Sequence, residues 1–524
     1  MGQTGFMATL PRGAATRCAP LCLAVLAVTL FSAYAAYRSS IVIDHERYFW
    51  LDDDQMISMR YARNLVEGHG LVWNAGERVE GYSNFGWVMV MAGVHLLPLS
   101  DAKAALVIMV INWGLAVVLL LLARRLLRRL VPDSGLEAAI LLLVLSVCAD
   151  VVFWSANGTE FTLIGVMFLW VVDRLFEESA IQRPRASTYG MLGVLACIRA
   201  DGLHVWLAVA LLALGLWRSR RSLALLALSL LPVVAHLLFR RAYYGVWLPN
   251  TYYLKVDSVP GKLHAGLDYA LGFAIDYCLP LLLALLGAIT SRQRGRWLLL
   301  GGIGISLAYV VGVGGDVYPH FRFLAHEVPV LLVLALACTR DPGPRARPIR
   351  PLLGAGLALT VILATGLLTR NSVISKNGSP PIGTATGVTI RNNAGAQDRV
   401  AVLVAGAVGY FSRRPMIDLL GKNDPHVARL PGLAFGGAGH NKYDPGFSFG
   451  RGADLLMYGF GPNQARQLTG TGYSAAVAHD PTFMREFLPN SLMVTALSSR
   501  GYIYFRGSSA VARKAAWRLP VIER

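Results

Sequence analysis

"LDDDQMISMRYARN", Leu51 to Asn64, begins about a dozen residues after the first strongly apolar run of the chain. Three adjacent carboxylates repel one another, and beside a bilayer they are costly unless something uses them. If Asp53 caps a helix starting at Asp54, then Ile57, Arg60, Tyr61 and Asn64 follow at steps of three and four on one face. A solvated amphipathic helix, with acids favouring its positive N-terminal end, explains one such acid well and three poorly. The stretch therefore reads as a working cluster at the mouth of a membrane.

Composition puts the membrane there. Of 524 residues, 55% are hydrophobic and 15% charged, with a mean hydropathy of +0.49; a water-soluble protein would be roughly 25% charged. The net charge of +18 reads as basic residues orienting helices by the positive-inside rule, and no nucleic-acid partner is implied. Cys18, Cys22, Cys148, Cys197, Cys278 and Cys338 lie in or beside apolar runs without metal-ligand spacing, as small buried hydrophobes do.

A spanning helix needs roughly 20 mostly apolar residues. Basic clusters at Arg124–Arg129, Arg183–Arg185, Arg218–Arg221, Arg292–Arg296 and Arg340–Arg350 are taken as cytoplasmic. The spans then fall near 19–38, 103–123, 136–154, 160–177, 188–200, 203–217, 222–239, 267–289, 297–313, 323–339 and 350–368, about eleven helices. Residues 84–98 are too short to cross and are read as lying in the outer leaflet. "RADG", Arg199–Gly202, joins two short helices, which predicts a turn sunk below the surface where it lines a cavity. Ala33–Tyr34–Ala35 resembles a signal-peptidase site, but the apolar stretch is long for a signal sequence and is read as retained. The division predicted is a transmembrane catalytic domain, 1–368, with a long first outer loop, 41–101, and an external α/β domain, 369–524. In the latter "NSVISKNGSPPIGTATG" reads as a polar loop, "RVAVLVAGAVGYFS" as a buried strand, and "LMVTALSSRGYIYFRG" as a hairpin broken at Ser-Ser-Arg-Gly. The N-terminus is placed in the cytoplasm, and the tail outside.

The outer loops then share an inventory: Asp52, Asp53, Asp54, Arg60, Arg63, Glu80 and Asn84 in the first, and Asn157 and Glu160 in the next. Further along come Arg199 and Asp201, then Asn250, Tyr252 and Lys255, then Asp316, His320 and Arg322. Ionisable groups at membrane depth are functional candidates by default. Outer carboxylates can deprotonate an acceptor hydroxyl, and outer arginines and lysines can hold a phosphate. Together they describe group transfer from a phosphate-bearing lipid to a hydroxyl. The glycines of "GGIGISLAYVVGVGG" lie inside an apolar run and read as helix packing rather than a nucleotide loop.

"DDDQMISMRYARNLVEGHGLVWNAGERVEGYSNFGW" closely resembles the first outer loop of C-type, polytopic bacterial glycosyltransferases, above all the arabinofuranosyltransferase branch. "SANGTE", "RADG", "YYGVWLPNTYYLK", "GGDVYPHFRF", "MIDLLGKNDPHVAR" and "GHNKYDPGF" extend the resemblance over nearly the whole chain. It implies a polyprenyl-phosphate sugar donor, a periplasmic active site in the inner membrane, and an acid of the first outer loop as catalytic residue. That acid falls on Asp53 or Asp54, with Asp53 favoured because the family usually places the critical acid first. Arg60, Arg199, Lys255 and Arg322 are the expected phosphate ligands. Asp52, Tyr61, Glu80, Asn84, Glu160, Asp201, Asn250, Tyr252, Asp316 and His320 are expected to bind substrate. Ala200 replaces the proline of the family's "RPDG". His440, Lys442 and Asp444 read as a structural loop, and His95 and His204 as packing residues.

The reading is a membrane enzyme that moves a sugar, arabinofuranose before a hexose such as mannose, to a hydroxyl of a glycan or protein acceptor. The rival class is a lipid-linked sugar flippase, which tends to show internal repeats not visible here. No cofactor is required by the residues. Carboxylates of this kind can hold a divalent cation, but no spacing specifies one, and the metal requirement stays open.

Overall fold

The computed structural model of the protein describes residues 12–255, 261–291, 293–339, 354, 356–359, 381–433, 439–497, 499–513 and 517–523. The chain opens with α1 (Arg12–Arg38), a β1 (Ser40–Ile43)–β2 (Glu46–Phe49) ribbon and α2 (Asp53–Val66). α3 (Phe85–His95), α4 (Asp101–Leu130), α5 (Gly135–Val147), α6 (Ala149–Ala156) and α7 (Phe161–Ile181) follow. Next come α8 (Ala186–Ile198), α9 (Leu203–Leu216), α10 (Arg220–Leu228), α11 (Leu231–Tyr244) and α12 (Asn250–Lys255). α13 (Lys262–Asp276), α14 (Cys278–Thr290), α15 (Arg294–Val313) and α16 (Val328–Cys338) complete the bundle.

Among the described residues, Cys18–Arg38, Asp101–Leu130, Arg220–Tyr244 and Arg294–Val313 are long and apolar enough to cross a membrane. Two pairs join them if each counts as one broken span: α5 with α6, bent by 53°, and α13 with α14, bent by 77°. Pro280 cannot donate to the carbonyl of Asp276, which interrupts the helical ladder at the second bend. The expected spans 188–200, 203–217 and 323–339 fall on apolar helices of 11 to 14 residues. The span expected at 160–177 falls on α7, which carries Asp173 and Glu178 in its last turns. The span expected at 350–368 lies largely outside the described residues. The described residues of this membrane protein thus hold four spans by length and composition, or up to six if each bent pair is one span.

The α/β unit is built on a five-stranded mixed sheet, ordered β4-β3-β5-β7-β6. Its strands are β3 (Val400–Val402), β4 (Met416–Asp418), β5 (Leu455–Tyr458), β6 (Ser491–Ala496) and β7 (Ser499–Phe505). β3 runs parallel to β4 and β5, and β7 antiparallel to β5 and β6. Strand side chains alternate faces. Val400, Val402, Met416, Leu455, Met457 and Ile503 enter one apolar core, and Ala401, Ile417, Leu456, Tyr458 and Tyr504 another. β8 (Ile522–Glu523) returns to pair with β1, making a second sheet.

The first of those cores is shared. It joins Ile41, Tyr48, Met56, Met59, Tyr61 and Trp87 of the first loop, with Ile108 of α4, to Ala385, Val388, Tyr410, Phe411 and Phe505 of the tail. The long loop and the α/β unit are thus packed as one body on the end of the helical bundle, whose own core is separate.

Three local expectations differ. Residues 381–387, read as loop, open a buried helix, Pro381–Asn393; the glycines and small side chains let it lie against the helix Ala407–Ser412, with Gly387 facing Phe411. The strand read across 399–412 ends at Val402, and its second half is that helix. The hairpin exists, but Ala496 pairs with Ser499, so Arg500 and Gly501 lie in the strand rather than the turn.

Candidate active site

α2 begins one residue earlier than the sequence predicts, at Asp53, and Asp52 at the N-cap position makes no capping hydrogen bond. Every residue from Gln55 to Asn64 is buried, so the helix is not a solvated one. Its first turn meets a cavity of ≈ 940 Å3 between the loop, the bundle and the tail. Of the residues expected at the site, Asp54, Asn84, Glu160, Arg199, Asp201, Tyr252, Lys255, Asp316 and Arg322 line that cavity.

Asp54 is the hub. Lys422 donates from Nζ to Asp54 Oδ1 at 2.5 Å, and Arg322 from Nη1 to Oδ2 at 3.2 Å. Arg322 also grips Asp316, with Nη2 donating to Oδ1 at 2.7 Å. Burial disfavours the charged form of Asp54, yet Lys422, Lys255 and Arg322 together hold its carboxyl well below the usual range. Burial pulls the Lys255 ammonium from 10.5 down to about 8, against the attraction of Asp54.

A polar floor adjoins this cluster. Gln55 donates to Glu160 Oε2 at 2.9 Å, Asn84 to the same oxygen at 3.2 Å, and Ser58 to Asn84 Oδ1 at 2.9 Å. Arg199 bridges Glu160 and Asp201, with Nε donating to Asp201 Oδ1 at 2.8 Å. The Ala200 amide donates to Ser83 O at 2.7 Å, a bond that a proline there could not make. The turn is thereby tied to the first loop. The far wall is apolar: Leu203, Trp206, Leu207, Leu230, Leu248 and Val313.

Gly314 (φ +93°) ends α15, and Gly315 (φ +71°) follows, where a side chain would run into Tyr269. Only glycine suits that position. The turn aims Asp316 and, six residues on, Arg322 into the cavity.

Other expected site residues are placed elsewhere. Arg60 is buried and spends its guanidinium on carbonyls: Nε on Trp73 O at 2.6 Å, Nη2 on Arg414 O at 2.8 Å, and Nη1 on Gly409 O. It staples loop to tail and does not line the cavity, where a phosphate ligand is expected. Tyr61 donates to Val79 O at 2.7 Å and lies 3.0 Å from Asn423 Oδ1. Glu80 is held by Arg240 at 2.6 Å and 3.1 Å; burial, opposed by Arg240, lifts its carboxyl from 4.5 to about 7. Asn250 donates to Gly421 O at 2.8 Å and Lys422 O at 3.1 Å, fixing the turn that carries Lys422. His320 points away from the cavity, with Nδ1 3.1 Å from Asp150 Oδ1. Asp52 sits behind the cavity; burial, with the charges of Asp54 and Asp53, pushes it from 3.8 to about 7. Asp53 Oδ1 accepts from the backbone of Gly406 at 2.9 Å and Ala407 at 3.3 Å, docking the tail on α2. The favoured choice within the acid pair therefore moves from Asp53 to Asp54, the one that reaches the cavity.

The residue that sequence reasoning missed is Lys422. Its stretch, "MIDLLGKNDPHVAR", was noted as a motif, but nothing local brings a lysine 368 positions downstream onto Asp54. Lys442 and Asp444 are structural as read: Lys442 donates to Tyr253 O at 2.7 Å, and Asp444 caps the helix Pro445–Gly450. His204 lines the cavity, stacked on Tyr309 at 4.2 Å. Among the described residues no group of three or more His, Cys, Asp or Glu side chains is arranged to hold a metal ion.

This architecture is the C-type membrane glycosyltransferase fold. ArnT from Cupriavidus metallidurans, bound to undecaprenyl phosphate, superposes with a TM-score of 0.58 over 94% of this chain and 99% of its own, at 10% identity. In sequence the chain is related to arabinofuranosyltransferases. It is 31% identical to the terminal β-(1→2)-arabinofuranosyltransferase of Mycobacterium tuberculosis over 272 residues, 48% of this chain and 42% of that protein. It is 27% identical to the enzyme of the same name from Corynebacterium glutamicum over 359 residues, 60% of this chain and 50% of that one. The chain spans half the length of these relatives or less. Residues 376–505 match a domain of unknown function, DUF8728.

Proposed function

We propose that the protein transfers arabinofuranose from a polyprenyl-phosphate donor to a hydroxyl of a glycan or protein, at the outer face of the inner membrane. The observation that carries this is the Asp54 carboxylate held among Lys255, Arg322 and Lys422, cations from three distant parts of the chain. Such a cluster suits a phosphate beside a base. The donor phosphate takes the three cations, the sugar hydroxyls meet Gln55, Asn84, Glu160, Arg199 and Asp201, and the lipid follows the apolar wall.

In the free protein Asp54 is a weak base, because three positive charges stabilise its ionised form. An arriving phosphate competes for those charges and restores the basicity of the carboxylate. Asp54 then removes the proton of the acceptor hydroxyl as its oxygen bonds to the anomeric carbon. The bond from that carbon to the phosphate oxygen breaks, and the electron pair leaves with the polyprenyl phosphate, stabilised by Lys255, Arg322 and Lys422.

The test is purified protein given synthetic polyprenyl-phosphoryl arabinofuranose and its mannose counterpart. Release of polyprenyl phosphate with transfer of the pentose is expected. Release from the hexose donor alone would change the sugar. Translocation of intact donor across vesicles, with no release, would make the protein a transporter.

A further inference from the structure

Both bent helix pairs break at the same point in space. α5 turns into α6 at Cys148, and α13 into α14 at Tyr277, and Cys148 Sγ lies 3.4 Å from Tyr277 Oη. Between them sits Asp150, 1% exposed. Tyr277 donates to Asp150 Oδ2 at 2.6 Å, and His320 Nδ1 faces Asp150 Oδ1 at 3.1 Å. Trp154, one turn on from Asp150, donates from Nε1 to His320 O at 2.7 Å. Asp150 does not line the cavity.

What these contacts hold is a strained backbone. His320 and Phe321 have φ of +61° and +39°, left-handed values that residues with side chains rarely adopt and that persist only where surroundings enforce them. The His320 ring packs on Phe153 at 4.6 Å, and the Phe321 ring on Phe273 at 5.4 Å and Tyr269 at 5.5 Å. The next residue is Arg322, whose guanidinium lies over the Tyr318 ring at 4.2 Å and reaches Asp54.

We propose that Asp150 is a positioning residue: through His320 it holds the 318–322 turn in its left-handed form and so sets where Arg322 meets the donor's phosphate. The broken helices give Asp150 its place, since an uninterrupted span would carry it along a regular helix wall. Without the Asp150–His320 bond the turn relaxes toward ordinary backbone values, and the guanidinium leaves the line joining Asp316 and Asp54. This inference rests on the reading of Arg322 as a phosphate ligand.

The experiment has two arms on the purified full chain. The first measures affinity for undecaprenyl phosphate in wild type, Asp150→Ala, Arg322→Ala and the double variant. Asp150→Ala, which leaves His320 without its acceptor, is expected to weaken binding roughly tenfold, as a misaligned charge-assisted bond does, and to weaken it no further once Arg322 is gone. Additive losses, or unaltered affinity in Asp150→Ala or Arg322→Ala, overturn the proposal. The second arm reads amide hydrogen exchange without ligand. Faster exchange confined to 316–323 is expected, and unchanged or uniformly faster exchange overturns it. Should wild type fail to bind undecaprenyl phosphate, the donor reading falls, and the exchange arm alone decides whether Asp150 holds the turn. If Asp150→Ala does not insert stably, His320→Phe removes the same bond while keeping a ring against Phe153.

Discussion

Asp53 and Asp54 are neighbours with opposite duties. Asp54 reaches the cavity and three cations, whereas Asp53 accepts from the backbone of Gly406 and Ala407. Asp54→Asn should lower transfer by about 10²–10⁴-fold, the usual contribution of a positioned base, in a protein that still binds donor. Asp53→Asn keeps an acceptor for the two amides and should cost far less; steady-state assays that reverse this order would return the catalytic role to Asp53. Lys255 gives a second signature. Its ammonium, at about 8 because burial disfavours charge, loses its proton as pH rises through that value, so anion binding weakens above it. The KM for donor should therefore climb above pH 8, and Lys255→Arg, always charged, should flatten the climb. A pH-independent donor KM in the wild type would remove Lys255 from the phosphate site.

At the scale of elements, α2 is held less by its own sequence than by what closes over it. Arg60 is the clearest instance: its bonds to Trp73, Gly409 and Arg414 join the first loop to the tail. Arg60→Ala takes a charged donor from those buried carbonyls and should destabilise by about 1–3 kcal/mol for each acceptor left unsatisfied, with Trp73 O keeping the Asn64 amide as a donor. The expected outcome is a lower melting temperature and poor yield, with a normal donor KM in whatever folds. A stable variant with raised KM would restore Arg60 as a phosphate ligand. The same residue shows what the sequence leaves hidden. Apolar run lengths locate the helices, and steps of three and four locate the face of α2, because both are local periodicities. Whether Arg60 faces phosphate or carbonyls depends on Gly409, 349 positions away. Lys422 was overlooked for the same reason, while Asp316 and Arg322 were found because outer arginines already stand against the positive-inside rule.

For the whole molecule, orientation follows from the basic clusters. Reporter fusions after Arg221 and Arg296 should be cytoplasmic, and a fusion after Asp316 should be periplasmic, with the cavity on that side. A cytoplasmic Asp316 fusion would put the site on the wrong face for the proposed reaction.

The core that the first loop shares with the tail also has a meaning in time. The loop leaves the ribosome early with half an interior, and Lys422 is 368 residues behind Asp54. At roughly 5–20 residues per second, synthesis alone separates them by about 20–70 s. Late in that interval the nascent chain already holds its apolar helices, yet the acid still lacks one of its three cations and Arg60 lacks the carbonyls of Gly409 and Arg414. On the proposed reaction, catalytic competence arrives with the tail, and a product that stalls before Lys422 is expected to be inert toward lipid-linked sugars in the surrounding bilayer.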